Sequence, residues 1–159
     1  ASVVARYDVP YIAMHMKGDP QTMQSLTDYR RDIVTEVVSY FERRIERFAE
    51  AGIRRERLIL DPGFGFAKTL EQNYELLAGL DRLAALGLPV LAGLSRKSMI
   101  YRLLDTAPGE ALAGTIALGW ECLRQGATIL RVHDVREAVD TVRIFHTYRQ
   151  NTALWQTKR

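Results

Sequence analysis

A single cysteine, Cys122, is the whole thiol complement of this 159-residue chain, so no internal disulfide can form. That absence excludes a disulfide-stapled scaffold and favours a reducing compartment; a cytoplasmic location is the expectation. Nowhere does the sequence sustain the roughly 18 apolar residues of a membrane helix. No membrane partner is expected. Charge of neither sign dominates, because 22 Lys and Arg face 19 Asp and Glu, a formal excess of three. An excess so small gives no broad positive field, and nucleic acid is not expected as a partner. Residues 1–7 contain no initiator Met, no basic leader and no long apolar core. They do not read as a signal peptide, and the chain reads as beginning inside something larger. Only five prolines occur, and no Gly-, Pro- or Ser-rich linker divides the sequence, so residues 1–159 read as a single domain.

What is present is a 47% hydrophobic chain with a clear order of elements. Apolar runs at 11–16, 58–60, 89–94 and 128–132 lack strict polar alternation, as strands buried on both faces of a parallel sheet do. Each is followed by a segment of helical period. Ile33, Val37, Phe41, Ile45 and Phe48 recur every three or four residues, and Gly52 follows as a stop. Thr69 and Gln72 have the spacing of a capping box, which opens a helix with the stripe Leu76, Leu77, Leu80, Leu83 and Ala84 running to Gly87. A third helix is predicted over 109–125. A fourth begins at Asp134-x-x-Glu137 and carries Ala138, Val139, Val142 and Phe145. The fold class is therefore α/β with parallel βα repeats, as an open doubly wound sheet or as four units of a (β/α)8 barrel. A whole barrel typically needs about 250 residues.

In both architectures ligands bind at the C-terminal ends of the strands. The chemistry-bearing residues gather there: His15 and Lys17 after the first strand, Asp61 to Lys68 after the second, Gly93 to Ser98 after the third, Arg131 to Asp134 after the fourth. Asp61 directly follows Leu58-Ile59-Leu60, and a carboxylate so placed needs partners. It suits either the paired N–H groups of a flat heterocycle or a turn helped by Pro62 and Gly63. Gly63 and Gly65 permit a tight turn or close backbone approach. Their spacing fits neither a Walker A loop nor a dinucleotide fingerprint. Phe64 reads as core, and Phe66 as a candidate pocket wall. Lys97 suits donation to a ring carbonyl or a solvated basic loop. Arg131 suits a phosphate or an aromatic face, or an ion pair with Asp134. His15 and His133 lack ligand spacing, so no protein-built metal site is expected. His146 reads as a surface residue and Cys122 as core.

Met14-His15-Met16, Asp61-Pro62-Gly63-Phe64-Gly65-Phe66, Gly93-Leu94-Ser95-Arg96-Lys97-Ser98 and Arg131-Val132-His133-Asp134 together resemble the dihydropteroate synthases, in the same order and spacing. The resemblance runs over nearly the whole chain, Gly114 and Arg136-Glu137-Ala138-Val139 included. It implies a (β/α)8 barrel of folate biosynthesis, a sulfonamide target that joins p-aminobenzoate to 6-hydroxymethyl-7,8-dihydropterin diphosphate. Pyrophosphate is released, with Mg2+ held mainly through the substrate diphosphate. By the same resemblance Asp61 reads the amino and ring N–H edge of the pterin, and Lys97 donates to its carbonyl side. Arg131 covers the pterin face and, with His133, holds the departing diphosphate. Phe66, Gly93 and Ser98 border the pterin and p-aminobenzoate sites, and Met14 packs near the pterin. The chain corresponds to the half of such a barrel from the fifth strand onward, so a homodimer or other oligomer is expected to cover its open surfaces. The alternatives are the pterin-binding module of a methyltetrahydrofolate methyltransferase and a structural fragment without a working site.

Overall fold

The structure, a computed structural model, describes residues 1–19 and 21–156. Helix α1 (Ser2–Tyr7) precedes strand β1 (Tyr11–Met14), and α2 (Ile33–Glu50) leads to β2 (Leu58–Asp61). Two helices, α3 (Leu70–Ala78) and α4 (Leu80–Ala84), connect to β3 (Leu91–Ala92). Then α5 (Ser98–Tyr101) and α6 (Leu112–Arg124) precede β4 (Ile129–Leu130), and α7 (Val135–Gln156) follows. β1 pairs with β2 and β3 with β4, both in parallel, while a parallel bridge between Leu60 and Val90 joins the two pairs. Spatial order thus follows chain order, and every crossover between strands is helical.

Alternation along the strands assigns the two faces. Ala13, Leu58, Leu60, Val90 and Ala92 point into the core, where Ile33, Val37 and Phe41 of α2 meet Leu76, Leu77, Leu80 and Leu83. The other face carries Ile12 and Met14, which stand opposite Ile59 and Asp61 in the β1–β2 register. Leu91, Gly93 and Arg131 share that face, since a Cβ on Gly93 would lie 3.8 Å from both Leu91 and Arg131. Ile12 is 48% exposed while Leu91 is buried, so among the described residues this layer is open at its β1 side.

β1, β3 and β4 are shorter than their apolar runs suggest, because the sheet ladder ends where each chain turns into its loop, whereas β2 runs one residue further, to Asp61. The helix expected to run from Thr69 to Gly87 is broken at Gly79. There a Cβ would come within 2.8 Å of a Val34 methyl, so the missing side chain lets α2 press against the α3–α4 corner. The Thr69–Gln72 capping box is formed in both directions. Residues 108–110 make a separate 3-10 turn with Pro108 in its first turn, and α6 begins only at Leu112. Gly114 admits Ile100 of α5, whose methyl would be 2.3 Å from a Cβ at that position. Cys122 is buried in the core, and burial pushes its thiol up to about 12, which suits a packing role.

Phe41 has no exposed surface and sits where α2 meets the sheet. Phe41→Ala should cost about 3–5 kcal/mol of unfolding free energy in a urea titration. A loss under about 1 kcal/mol would mean that α2 is not the keystone of this core.

Candidate functional site

The site is built at the end of β2. Asp61 is only 8% exposed, and its Oδ1 accepts the Gly63 N–H at 2.8 Å. Gly63 can turn back this tightly because its φ is +69°, and because a Cβ there would fall 2.0 Å from the His15 carbonyl oxygen. The β1 and β2 chain ends are therefore locked together, with the His15 N–H also donating to the Asp61 carbonyl at 2.9 Å. Burial raises the Asp61 carboxyl above its ordinary range, against the Gly63 hydrogen bond and the charges of Lys97, Arg131 and Lys68. One shielded acid among three cations is the electrostatic centre of the rim.

Lys97 reaches this centre from the β3 loop. Its Nζ donates to the Phe64 carbonyl and stands 4.6 Å from the centroid of the Phe66 ring. Burial lowers it to about 8; Asp61 opposes that shift and Arg131 adds to it. Arg96 occupies the left-handed region at φ +55°, donating its N–H to Thr115 at 3.0 Å. Its guanidinium clasps the Asp134 carboxylate through Nε at 3.0 Å and Nη2 at 2.5 Å. Asp134 is thus engaged by Arg96 and not by Arg131. Arg131 remains on the open face beside Gly93, and among the described residues no ion pair holds its guanidinium. His133 is exposed; its N–H donates to Ser95 Oγ at 3.2 Å, and its Nδ1 lies 3.0 Å from the same hydroxyl.

Of the sequence-predicted residues, the structure brings Asp61, Lys97 and Arg131 into one electrostatic cluster, with Phe66 under Lys97, Gly93 beside Arg131 and Met14 opposite Asp61. His133 stands two residues beyond Arg131 on the same strand end. Ser98, the first residue of α5, lines a neighbouring cleft of about 320 Å3 with Gly65, Lys68, Thr69 and Arg102. Among the described residues no three His, Cys, Asp or Glu side chains converge as metal ligands. No described helix is long and apolar enough to cross a membrane.

Sequence reasoning passed over Asn73 and placed Lys68 at the strand end without a role; both are buried. Asn73 Oδ1 accepts the Gly65 N–H at 2.7 Å, and Lys68 Nζ lies 3.0 Å from His15 Nδ1. The available signal was Lys68 itself, a lysine closing an otherwise apolar Gly-Phe loop.

Burial, and then the Lys68 charge, lower His15 from 6.5 to about 3. Between those values the unfolded chain binds a proton that the folded chain excludes, so stability should rise with pH across that window. The His15 contribution is complete above about 6.5 and lost as pH falls toward 3. Thermal melts from pH 4 to 7 should therefore show a shallower acid slope for His15→Asn than for the wild type; parallel slopes would rule the buried neutral histidine out.

Comparison with known proteins gives the family and the fold. The pterin-binding enzyme family matches residues 1–133. Dihydropteroate synthase of Escherichia coli (strain K12) is 48% identical over 140 residues, covering 88% of this chain and 49% of that protein. Yersinia pestis dihydropteroate synthase, solved with a sulfonamide drug complex, superposes with a TM-score of 0.90 at 42% identity, covering 94% of this chain and 54% of that one. The Xanthomonas albilineans enzyme in complex with 7,8-dihydropteroate gives a TM-score of 0.83 at 40% identity, over 92% and 53% of the two chains. This chain spans about half the length of the curated relatives it matches. Since the family match runs through all four strands and on to Arg131 and His133, the chain belongs to the pterin-binding enzyme family.

Proposed function

We propose that this chain carries the pterin- and diphosphate-reading half of a dihydropteroate synthase. In this reading residues 1–159 form one unit, the last four βα units of a (β/α)8 barrel. The open β1 side of the apolar layer, at Ile12, is then covered by the remaining units or by a second copy. The observation that carries the reading is the shielded Asp61 carboxylate set beside Lys97 and Arg131 on the open face. A pterin presents adjacent amino and ring N–H donors next to a carbonyl acceptor. Asp61 accepts the former and Lys97 donates to the latter, a pairing of the strong, charge-assisted kind.

The reaction joins p-aminobenzoate to 6-hydroxymethyl-7,8-dihydropterin diphosphate. The bond between the pterin methylene carbon and the diphosphate oxygen breaks, and pyrophosphate departs with the electron pair. The p-aminobenzoate nitrogen bonds to that carbon and releases a proton, giving 7,8-dihydropteroate. No protein nucleophile is needed. What the chain supplies is orientation and positive charge where negative charge develops. Arg131 lies across the pterin face and, with His133, meets the diphosphate. Phe66 and Gly93 shape the walls, Met14 packs at the pterin, and Ser98 borders the p-aminobenzoate side. In this reading Mg2+ is held mainly through the substrate diphosphate.

Calorimetric titration with a 6-hydroxymethylpterin diphosphate analogue tests the proposal. Asp61→Asn and Lys97→Ala should each weaken binding about tenfold or more, since each removes one charge-assisted hydrogen-bonding group. Turnover with p-aminobenzoate should then be followed by pyrophosphate release. A folded wild type that ignores the analogue would overturn the reading for this chain.

A further inference from the structure

Lys68 is only 4% exposed, yet its Nζ has three polar partners. Nζ donates to the Gly63 carbonyl at 3.0 Å and to the Phe66 carbonyl at 3.0 Å, and it lies 3.0 Å from His15 Nδ1. His15 comes from the end of β1, whereas Lys68 closes the loop after β2. One side chain therefore ties two strand ends together. Burying an ammonium is costly, and burial lowers Lys68 to about 7, with the Asp61 charge opposing that shift and Lys97 adding to it.

The rest of the loop is fixed from outside. Ala67 takes a left-handed φ of 51°, and its carbonyl accepts the Tyr29 hydroxyl at 2.8 Å. Asn73 holds the Gly65 N–H through Oδ1. The loop so fixed has two outputs. The Gly63 N–H sets the Asp61 carboxylate, and the Phe64 carbonyl receives Lys97 Nζ while the Phe66 ring lies beneath it. The Lys68 charge also acts on Asp61 and favours its ionised form.

We infer that Lys68 is a positioning residue for the Asp61–Lys97 pair: by bonding Gly63, Phe66 and His15 it fixes the loop whose backbone orients both heterocycle-reading groups. The inference rests on the reading of that pair as pterin-binding. Lys68 works through the loop and requires His15 to present an unprotonated Nδ1. Burial and the charge of Lys68 keep the His15 ring neutral, and of the two neutral tautomers only the one with a bare Nδ1 accepts from Lys68.

The test uses the wild-type chain, Lys68→Met and Lys68→Gln. In ligand-free protein, NMR reads the His15 ring nitrogens, the Gly63 amide and the Asp61 titration; calorimetry reads affinity for 6-hydroxymethylpterin. His15 Nδ1 should be unprotonated at neutral pH in the wild type. Lys68→Met should displace the Gly63 amide resonance, raise the Asp61 titration midpoint and weaken pterin binding about tenfold or more, with cooperative unfolding retained. Lys68→Gln, which keeps donors for part of the set, should fall between; it decides the matter if Lys68→Met does not fold. A protonated Nδ1 in the wild type, or variants with unaltered Asp61 titration and Gly63 amide, would overturn the inference. If the wild type itself does not bind pterin, the functional reading fails, while the ligand-free spectra still decide the role of Lys68.

Discussion

A carboxylate withdrawn from water keeps its charge only where donors and cations replace the lost hydration, and Asp61 imposes that condition on everything around it. The Gly63 amide has to turn back onto it, which demands a left-handed backbone and no side chain. Lys97 and Arg131 come from two other strands, so their charges arrive only if the parallel order β1-β2-β3-β4 is in place. The sheet register and the site are thus one arrangement seen at two scales. Core residues such as Leu60 and Val90 hold the strands, and the strands hold the charges apart at the rim.

The cations are not equivalent. Lys97 is half-buried over Phe66, with burial depressing its ammonium and Asp61 partly restoring it. Lys68 is more deeply buried, and its Nζ donates to two backbone carbonyls and lies beside His15 Nδ1, so it belongs to the frame of the site. Arg131 stands on the open face with its fork uncommitted to any ion pair among the described residues, because Arg96 takes the Asp134 carboxylate. Under the proposed function this division has a chemical sense. A fixed pair reads a flat heterocycle, and a freer arginine meets the anionic leaving group. The open apolar layer beneath the rim belongs to the same reading, in which a further set of βα units or a second copy faces it.

The order of strands and helices was legible because hydrophobic period and capping chemistry are local. The Thr69–Gln72 box formed as its spacing predicted, and the α2 stripe of Ile33, Val37 and Phe41 became core. Strand limits were less legible, since a ladder ends where the partner chain turns away and not where apolar residues stop. The break at Gly79 was also hidden; it depends on the Val34 methyls of another helix. Asp134 looked like a helix cap, but Arg96 lies 38 residues earlier, beyond the reach of a local pattern.

By itself the sequence determined the alternation of parallel strands with helices and the set of polar residues delivered to the strand ends. Both follow from periodicity and from which residues directly follow each apolar run. Its motifs also carried the resemblance that the family match bears out. Only the tertiary structure decided who meets whom. It paired Arg96 with Asp134, left Arg131 on the open face, and bound Lys68 to His15 across two strand ends. Those choices depend on distances between residues far apart in the chain, and electrostatic and hydrogen-bond energies are set by those distances and by burial.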